Sequence, residues 1–303
     1  MHDHARPHRH GLGGNGTAFA LGILLNLGFV GVEVAYGILA NSVALIADAG
    51  HNLSDVLALA IAWSASILAH RQPSHRFTYG LRSSSILAAL FNAIVLLIAV
   101  GGIAVEAIDR LIAPAPVASG TVIAVAAIGL LVNGGSALLF LRSQESDLNL
   151  RAAFRHLAAD AAVSLVVVLT GAAILLTGAL WLDPAASLVV AVVIVIGTWR
   201  LLRDAVNMAL HGVPTGIDPA EVRDHLTGLA GVVAVHDLHI WPMSTTETAL
   251  TCHLVMPQGH PGDEMLAQLA LELHARFAID HATIQVETGD PLHPCKLVPD
   301  HVV

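Results

Sequence analysis

Ala47–Asp55 reads Ala-Asp-Ala-Gly-His-Asn-Leu-Ser-Asp and lies inside an apolar run from Val43 to Leu68. At about 1.5 Å per residue, a helix over this run is long enough to cross the hydrocarbon core of a bilayer. Ionisable side chains are unfavourable at that depth, and those that occur there usually serve a function. The stretch therefore predicts a membrane-spanning helix with a polar site inside it.

A second His/Asp pair repeats the spacing of the first. His51 and Asp55 are four residues apart, and so are His156 and Asp160 at the head of another apolar run. Residues at this spacing share one face of a helix. On facing helices, two imidazoles and two carboxylates can supply the four ligands of a tetrahedral Zn²⁺ ion. The alternative is that the side chains of each pair bind no metal and only form hydrogen bonds between helices.

The composition is that of a polytopic membrane protein. The 303 residues are 55% hydrophobic and only 12% charged, and the mean hydropathy is +0.71. Such a balance is not that of an ordinary soluble domain. The sequence predicts six transmembrane α-helices in a membrane domain over 17–211, from six apolar stretches at about 18–39, 43–68, 86–108, 117–141, 157–180 and 184–202.

The distribution of arginine predicts the orientation. With the N-terminus inside, ten arginines fall on the inner side and only Arg110 falls outside. This positive-inside bias places both termini in the cytoplasm, in a plasma membrane or bacterial inner membrane, and makes the two His/Asp helices antiparallel. The inner set is Arg6, Arg9, Arg71, Arg76, Arg82, Arg142, Arg151, Arg155, Arg200 and Arg203.

The depths of the two pairs do not match by counting. Asp55 falls near the middle of its apolar run, whereas His156 precedes its own run by one residue. We expect a water-filled cytoplasmic vestibule to reconcile them, because polar helix ends are tolerated where they line water.

Three further acidic residues lie inside the apolar runs: Glu33, Asp48 and Glu106. Asp48 precedes His51 by three residues and can accept a hydrogen bond from its ring, a common support for a metal-bound histidine. Hydrogen bonding between helices explains all three residues equally well.

The chain changes character at Gly212. Before it there are 11 Lys/Arg and 11 Asp/Glu, and after it 3 and 12, so the C-terminal part carries the whole excess of −9. An acidic surface repels nucleic acid and attracts cations, although simple solubility explains it as well. Cys252 and Cys295 offer no disulfide framework and fit a reducing, cytoplasmic setting.

The pattern after Gly212 predicts a small αββαβ domain over 212–290. Asp218 is the expected N-cap of a helix that ends near Leu229, followed by a hairpin, an amphipathic helix and a last strand. The order suggests a small sheet with helices on one face. The elements after the first helix are predicted at 232–241, 248–256, 263–277 and 282–287.

The hairpin brings two histidines together. If its turn centres between Ser244 and Thr245, His236 lies directly opposite His253, with Cβ atoms about 5 Å apart. The pair can share a metal, or the histidines can simply occupy a solvent face. Candidates to complete the coordination are Glu287, His281, His293 and Cys295.

The two ends of the chain are predicted as tails. Residues 1–16 are predicted to form a disordered N-terminal segment, and residues 291–303 the C-terminal tail. The four histidines of the N-terminal segment can bind metal weakly, or they can simply be exposed to solvent.

Several motifs together resemble the cation diffusion facilitator family. The likeness extends from about Gly16 to Cys295. It is carried by the six-helix topology and by Asn41–His51 with Asp55, His156 with Asp160, Trp181–Pro184 and His236–Trp241.

The resemblance implies a homodimeric, proton-coupled exporter of divalent metal with a ferredoxin-like cytoplasmic domain. In that family the transport site is formed by the positions matching His51, Asp55, His156 and Asp160, and this His-Asp/His-Asp version is associated with Zn²⁺. Cd²⁺, Co²⁺ and Ni²⁺ remain open, because affinity order alone does not set selectivity. The cytoplasmic metal positions carry over to His236 and His253, with Asp290 or Glu287.

The sequence departs from the family at three places. His75 matches one histidine of a second site in the loop after the second helix, but Tyr79 stands at the other, so the resemblance implies that this site is lost. Ser85 stands where many relatives have glutamate, and His211 where they have an acidic residue. Charge contacts between protomers near the inner surface of the membrane are therefore not expected to follow the family pattern.

Two readings from other classes compete with a transporter. An intramembrane metal-dependent hydrolase needs an open coordination position and normally a general base, as in His-Glu-x-x-His. Here four protein ligands close the site, and no glutamate follows either histidine, so the chain is not expected to be an enzyme. A membrane metal sensor would bind metal without moving it.

Overall fold

The computed structural model describes residues 16–69, 73–140 and 148–298. Several side chains within its helices, that of His156 among them, are outside this description, as are the N-terminal histidines His2, His4, His8 and His10.

In the part of the chain that the structure describes, six long helices precede the C-terminal domain. Their bounds lie within four residues of the predicted apolar stretches, except at the start of the fifth helix and at the end of the sixth, which continues seven residues beyond its stretch. They are α1 (Gly16–Leu39), α2 (Val43–Ala69), α3 (Ser84–Ile112), α4 (Ser119–Phe140), α5 (Leu148–Thr177) and α6 (Leu182–Ala209). Within the described residues, three segments are long and apolar enough to cross a membrane: Ser84–Ile112, Leu157–Thr177 and Leu182–Ala209.

Helix α5 begins nine residues before the predicted apolar stretch. Its first turns, from Leu148, are polar and therefore invisible to a hydropathy pattern, although they continue the same helix. His156 thus lies inside a continuous helix, four residues before Asp160.

The chain divides into two compact units, Met1–Trp63 with Asn92–Trp199 and Ser64–Phe91 with Arg200–Val303. In the first unit, small and β-branched side chains fill the core between the helices. Around the His/Asp stretch, the buried cluster combines residues of α2, α3, α5 and α6: Ala47, Val100, Val163, Val190, Ala191 and Ile194.

A carboxylate from α6 caps the first turn of α2. Asp183 is 1% exposed and accepts hydrogen bonds from the backbone N–H of Val43 (2.8 Å), the N–H of Ala44 (3.4 Å) and the Ser42 hydroxyl. The first N–H groups of a helix have no partner within the helix, and a negative charge is favourable at this end. Asp183 therefore determines where α2 begins and, through it, the position of His51 along the bundle.

We expect Asp183→Ala to lower the free energy of unfolding by about 1–3 kcal/mol, because it removes the acceptor of buried donors at a helix N-terminus. Thermal or denaturant unfolding of the purified protein in detergent measures this. The control is Asp109→Ala, which removes an exposed aspartate from α3. Equal stability of the two variants would contradict the capping role.

The second unit contains the predicted αββαβ domain. Its elements are α7 (Pro219–Thr227), β1 (Ala234–Pro242), β2 (Thr248–Val255), α8 (Asp263–Phe277) and β3 (His281–Glu287). The order of elements is confirmed, and Asp218 caps α7 by accepting from Ala220 N–H at 2.8 Å. The sheet is mixed, with order β1-β2-β3, β1 antiparallel to β2 and β2 parallel to β3.

The assumed centre of the hairpin turn is wrong by half a residue. Near the turn Pro242 pairs with Thr248, which centres the turn on Thr245. Further along, the register shifts between His236 and His239, so that His236 faces His253 as predicted. A β-bulge of one extra residue causes this shift and compensates for the different turn.

The bulge also decides which face of the sheet His236 occupies. Val235 and Ile240 both face the hydrophobic core although they are five residues apart, which strict alternation along a strand does not allow. Asp237, at φ 50°, adopts the left-handed conformation that accommodates the extra residue. As a result His236 lies on the face opposite the core, beside His253.

The tip of the hairpin contacts the segment that leads into α3. Arg82 Nη1 lies 2.7 Å from Glu247 Oε1, and Ser85 Oγ accepts a hydrogen bond from Thr245 N–H at 3.1 Å. Ser83 Oγ donates to the carbonyl of Met243 at 3.2 Å. Ser85 therefore accepts a hydrogen bond from the backbone of the hairpin.

Candidate metal centres

The first candidate centre joins α2 to α5. His51, Asp55 and Asp160 each offer one ligand atom, and these atoms lie within 4.8 Å of one another. His51 Nε2 is 3.2 Å from Asp160 Oδ1, and the two side chains are 16% and 6% exposed. Ligands at about 2.0–2.1 Å from a tetrahedral zinc ion are about 3.3–3.4 Å apart, so this pair is spaced as two such ligands.

The contacts between the two helices define an antiparallel register. Asp48 Oδ2 accepts from Ser164 Oγ at 3.2 Å, and one turn further along α2, His51 contacts Asp160, one turn earlier on α5. These two contacts lie one helical turn apart along each helix, and the second of them brings two of the predicted ligands together.

Asp48 makes its hydrogen bond to Ser164 of the facing helix rather than to the ring of His51. It is fully buried, and its Oδ1 has no hydrogen-bond partner among the described residues. Gly129 of α4 leaves room for Ser164, because a Cβ at this glycine would lie 3.1 Å from Ser164 Oγ. The contact of Asp48 belongs to the packing between helices, one of the two roles that its position in the sequence allowed.

The second candidate centre lies on the outer face of the C-terminal sheet. His236 on β1, His253 on β2, Glu287 at the end of β3 and Cys295 beyond it offer ligand atoms within 4.8 Å of one another. Glu287 bridges the imidazoles, with Oε1 2.9 Å from His253 Nδ1 and Oε2 3.3 Å from His236 Nε2. Cys295 Sγ is 3.6 Å from His253 Nδ1.

The donor set fits a divalent metal of the zinc type. Two imidazole nitrogens, a carboxylate and a thiol are common zinc ligands, and the three separations given above, from 2.9 to 3.6 Å, are comparable with the edges of a tetrahedron around such an ion. His236 is 5% exposed, and its Nε2 lies 3.3 Å from Glu287 Oε2 without the geometry of a hydrogen bond to any described residue. A buried nitrogen left in this way is available as a ligand.

The sequence pattern did not predict that Asp237 contacts the histidines of this cluster. Its Oδ2 is 3.4 Å from His253 Nε2, and its Oδ1 is 2.8 Å from His239 Nε2. If His253 offers Nδ1 to a metal, Asp237 receives the other ring N–H, the arrangement that commonly orients a ligating histidine. Asp237 lies beside His253 because of the bulge in β1. The sequence His236-Asp237-Leu238-His239 does not by itself indicate that the strand contains a bulge.

The remaining predicted residues lie outside the four-residue cluster. Asp290 and His293 line a cavity of about 620 Å³ beside it. They contact each other at 2.9 Å, and this hydrogen bond holds the pKa of Asp290 below its usual value. His281 is at the other end of β3, where Tyr79 packs edge-on against its ring at 5.6 Å. His75 is exposed in the segment before α3.

The two cysteines have different environments. Cys252 is 1% exposed in the core, and burial, with the Asp237 carboxylate, raises the pKa of its thiol to about 12. The pKa of the Cys295 thiol is also raised. A backbone hydrogen bond with Leu297 lowers this pKa, but partial removal from water and the carboxylates of Glu287 and Asp237 raise it by more. A divalent cation in the cluster would favour the thiolate of Cys295 and leave Cys252 unchanged.

We expect a maleimide to label the native protein at Cys295 alone, and Zn²⁺ to protect it, because Cys295 is accessible beside the histidines while Cys252 is in the core. Mass spectrometry of the labelled chain identifies the site, and Cys295→Ser is the control. Native-state labelling at Cys252, or equal labelling of Cys295 with and without Zn²⁺, would contradict the arrangement.

Comparison with known families matches almost the whole described chain. Residues 19–208 match the family model described as the cation efflux transmembrane domain, and residues 214–289 match the one described as the cytoplasmic domain of cation efflux proteins.

Relatives of known name align over most of their length. The chain is 36% identical over 296 residues to the metal cation efflux system protein CzcD of Cupriavidus metallidurans, an alignment that covers 97% of this chain and 91% of the relative. It is 38% identical over 271 residues to the zinc transporter ZitB of Escherichia coli, covering 89% and 86%. It is 32% identical over 286 residues to the cadmium, cobalt and zinc/H(+)-K(+) antiporter of Bacillus subtilis, covering 93% and 92%.

A solved structure of the metal-bound C-terminal domain of the CzcD transporter from the same Cupriavidus species is 39% identical. It covers 23% of this chain and 99% of that chain, with a TM-score of 0.22.

Proposed function

Because this chain belongs to the cation diffusion facilitator family of cation efflux proteins, we propose that it exports Zn²⁺ from the cytoplasm in exchange for protons. The observation that carries the proposal is the contact of His51 with Asp160 across two antiparallel helices. The names of the relatives support it: one is a zinc transporter, and another exchanges cadmium, cobalt and zinc for protons and potassium ions. Cd²⁺, Co²⁺ and Ni²⁺ are further candidate substrates.

In the proposed arrangement, α1 to α6 all span the bacterial inner membrane and both termini are cytoplasmic. The arginine distribution supports this orientation. The transport site consists of His51, Asp55, His156 and Asp160 in tetrahedral coordination. Because its ligands come from two helices, a relative movement of α2 and α5 changes both access to the site and its geometry.

Protons and metal compete for the same side chains. Zinc binds neutral imidazole and ionised carboxylate, so loading must displace any proton that these groups hold. The ordinary pKa of histidine, about 6.5, places this competition near physiological pH. When the site faces outward, higher proton activity favours protonation of the ligands and release of the metal, and the return movement carries protons inward.

Asp55→Ala and Asp160→Ala are each expected to abolish proton-driven zinc movement, because each removes one of four ligands. The assay uses the purified protein in vesicles with a zinc-sensitive dye inside and an imposed pH gradient. Asp109→Ala, an exposed aspartate of α3, is the matched control and retains transport.

The same assay separates the competing functions. Zinc binding by the wild-type protein without movement would indicate a sensor, and zinc-dependent turnover of a lipid or peptide would indicate a hydrolase. Transport that survives in both aspartate variants would contradict the assignment of the site.

We further propose that the C-terminal domain is ferredoxin-like, forms the homodimer and regulates transport through His236, His253, Glu287 and Cys295. These residues join all three strands and the segment after β3, so their joint occupation by metal favours one conformation of the sheet. The acidic excess of this domain supports metal capture.

We expect the double variant His236→Ala, His253→Ala to lose metal from this domain and to weaken the dependence of transport on cytoplasmic zinc. The control pair is His260→Ala, His274→Ala, two exposed histidines outside the cluster. Metal content by mass spectrometry and transport rate at several zinc concentrations are the measurements. Unchanged values for both would overturn the regulatory role.

A further inference from the structure

We propose that Glu33 is a proton-binding site separate from the metal ligands, and that its proton leaves when the transport site is loaded. The inference rests on the proposed antiport and identifies a residue that carries part of the exchanged charge. Glu33 is on α1, which contributes none of the four metal ligands.

Glu33 lies on the buried face of α1. It is 0% exposed and is flanked by Val30 and Gly37 on α1 and by Ala40 just after the end of α1, which are also buried. These positions recur at intervals of three and four residues, the spacing of one helical face. A carboxylate in the middle of such a face is strongly unfavourable unless a cation or a proton neutralises it.

The hydrogen bonding of Glu33 is incomplete. Its Oε2 accepts from Asn52 Nδ2 at 2.8 Å, and its Oε1 has no hydrogen-bond partner among the described residues. One amide hydrogen bond does not compensate a buried negative charge. Protonation at Oε1 removes that charge and leaves the contact with Asn52 intact.

No fixed positive charge is available on the helices that surround Glu33. The sequences of α1, α2 and α4 contain no lysine or arginine, and α4, which contacts α1, contains no titratable residue at all. The titratable groups of α2 are Asp48, His51 and Asp55. Helix α5, on the far side of α2 from Glu33, adds His156 and Asp160, and its two arginines, Arg151 and Arg155, precede both of them in the sequence. The carboxylates among these groups favour the protonated form of Glu33.

Binding of a metal ion at the transport site favours the ionised form of Glu33 instead of the protonated form. Asn52 follows His51 directly, so Glu33 contacts α2 next to a metal ligand. The two positive charges of the transported ion favour the ionised form of a nearby carboxyl group. The O–H bond of Glu33 then breaks, its electron pair stays on the carboxylate, and the proton passes to the solvent on the side that the site faces.

The direction of exchange follows from alternating access. In the inward-facing state the metal arrives from the cytoplasm and the Glu33 proton is released there. In the outward-facing state a proton from outside binds Glu33, the carboxylate that supported the metal becomes neutral, and the metal leaves. Each cycle moves one proton inward through Glu33, in addition to any carried by the metal ligands.

The test counts protons released per zinc ion bound by the full-length protein in lipid nanodiscs. All variants are made in the background His236→Ala, His253→Ala, so that binding to the C-terminal cluster does not contribute. Calorimetry in buffers of different ionisation enthalpy gives the count. We expect Glu33→Gln to bind zinc and to release one proton fewer than its parent, with a flatter dependence of transport on pH.

The matched control is Asn52→Ala, which removes the same hydrogen bond but keeps the carboxyl group. A proton-binding role predicts the parental count in Asn52→Ala, whereas a purely structural role predicts that both variants behave alike. If Glu33→Gln does not fold, Glu33→Asp is expected to keep the count and to displace the pH at which the proton is released. An unchanged release pH in that variant would overturn the inference.

The outcomes distinguish this inference from the proposed function. A parental proton count in Glu33→Gln, with antiport intact in the wild-type protein, overturns the role of Glu33 alone. A wild-type protein that binds zinc without proton-driven movement overturns the antiport, and the inference with it.

Discussion

The unfavourable energy of a charge inside an apolar helix bundle is the constraint on which this structure depends. Asp48, Asp160, Asp183 and Glu33 are all almost fully buried in the first unit. Each has a partner that lowers this energy, but the partners differ. Asp183 has backbone N–H groups and a hydroxyl, Asp48 has a serine, and the His51/Asp160 pair has the chemistry to be completed by a divalent cation.

Features of the backbone position the proposed metal ligands. The capped first turn of α2 sets the phase of the helix that carries His51 and Asp55, and a continuous α5 sets the phase of Asp160. In the C-terminal domain the equivalent device is the bulge in β1, which turns His236 away from the core and towards His253. Both centres therefore depend on the ends and irregularities of regular elements, where small backbone changes redirect side chains.

The C-terminal hairpin makes a distinct set of contacts at each end. One end holds the cluster of His236 and His253, and the other contacts the segment before α3 through Glu247 and Thr245. A hairpin of two paired strands is stiff along its length, because each residue pair is held by the ladder. A shift of the strands at the cluster would therefore also displace Glu247 and Thr245, which contact the residues before α3.

Local patterns in the sequence determined much of this protein. The apolar periodicity predicted the bounds of α2 and α8 closely, and the order of the C-terminal elements followed from turns and caps. The repeated His-x-x-x-Asp spacing predicted two ligand pairs, and three of those four residues, His51, Asp55 and Asp160, lie together in the structure. These features depend on residues within one or two turns of each other, so the chain itself reveals them. The tertiary structure alone decided that Asp183 caps α2, that Glu33 contacts Asn52, and that Asp237 supports His253 through a bulge. Those contacts join distant segments or depend on a shift of strand register, and neither leaves a periodic signal in the sequence.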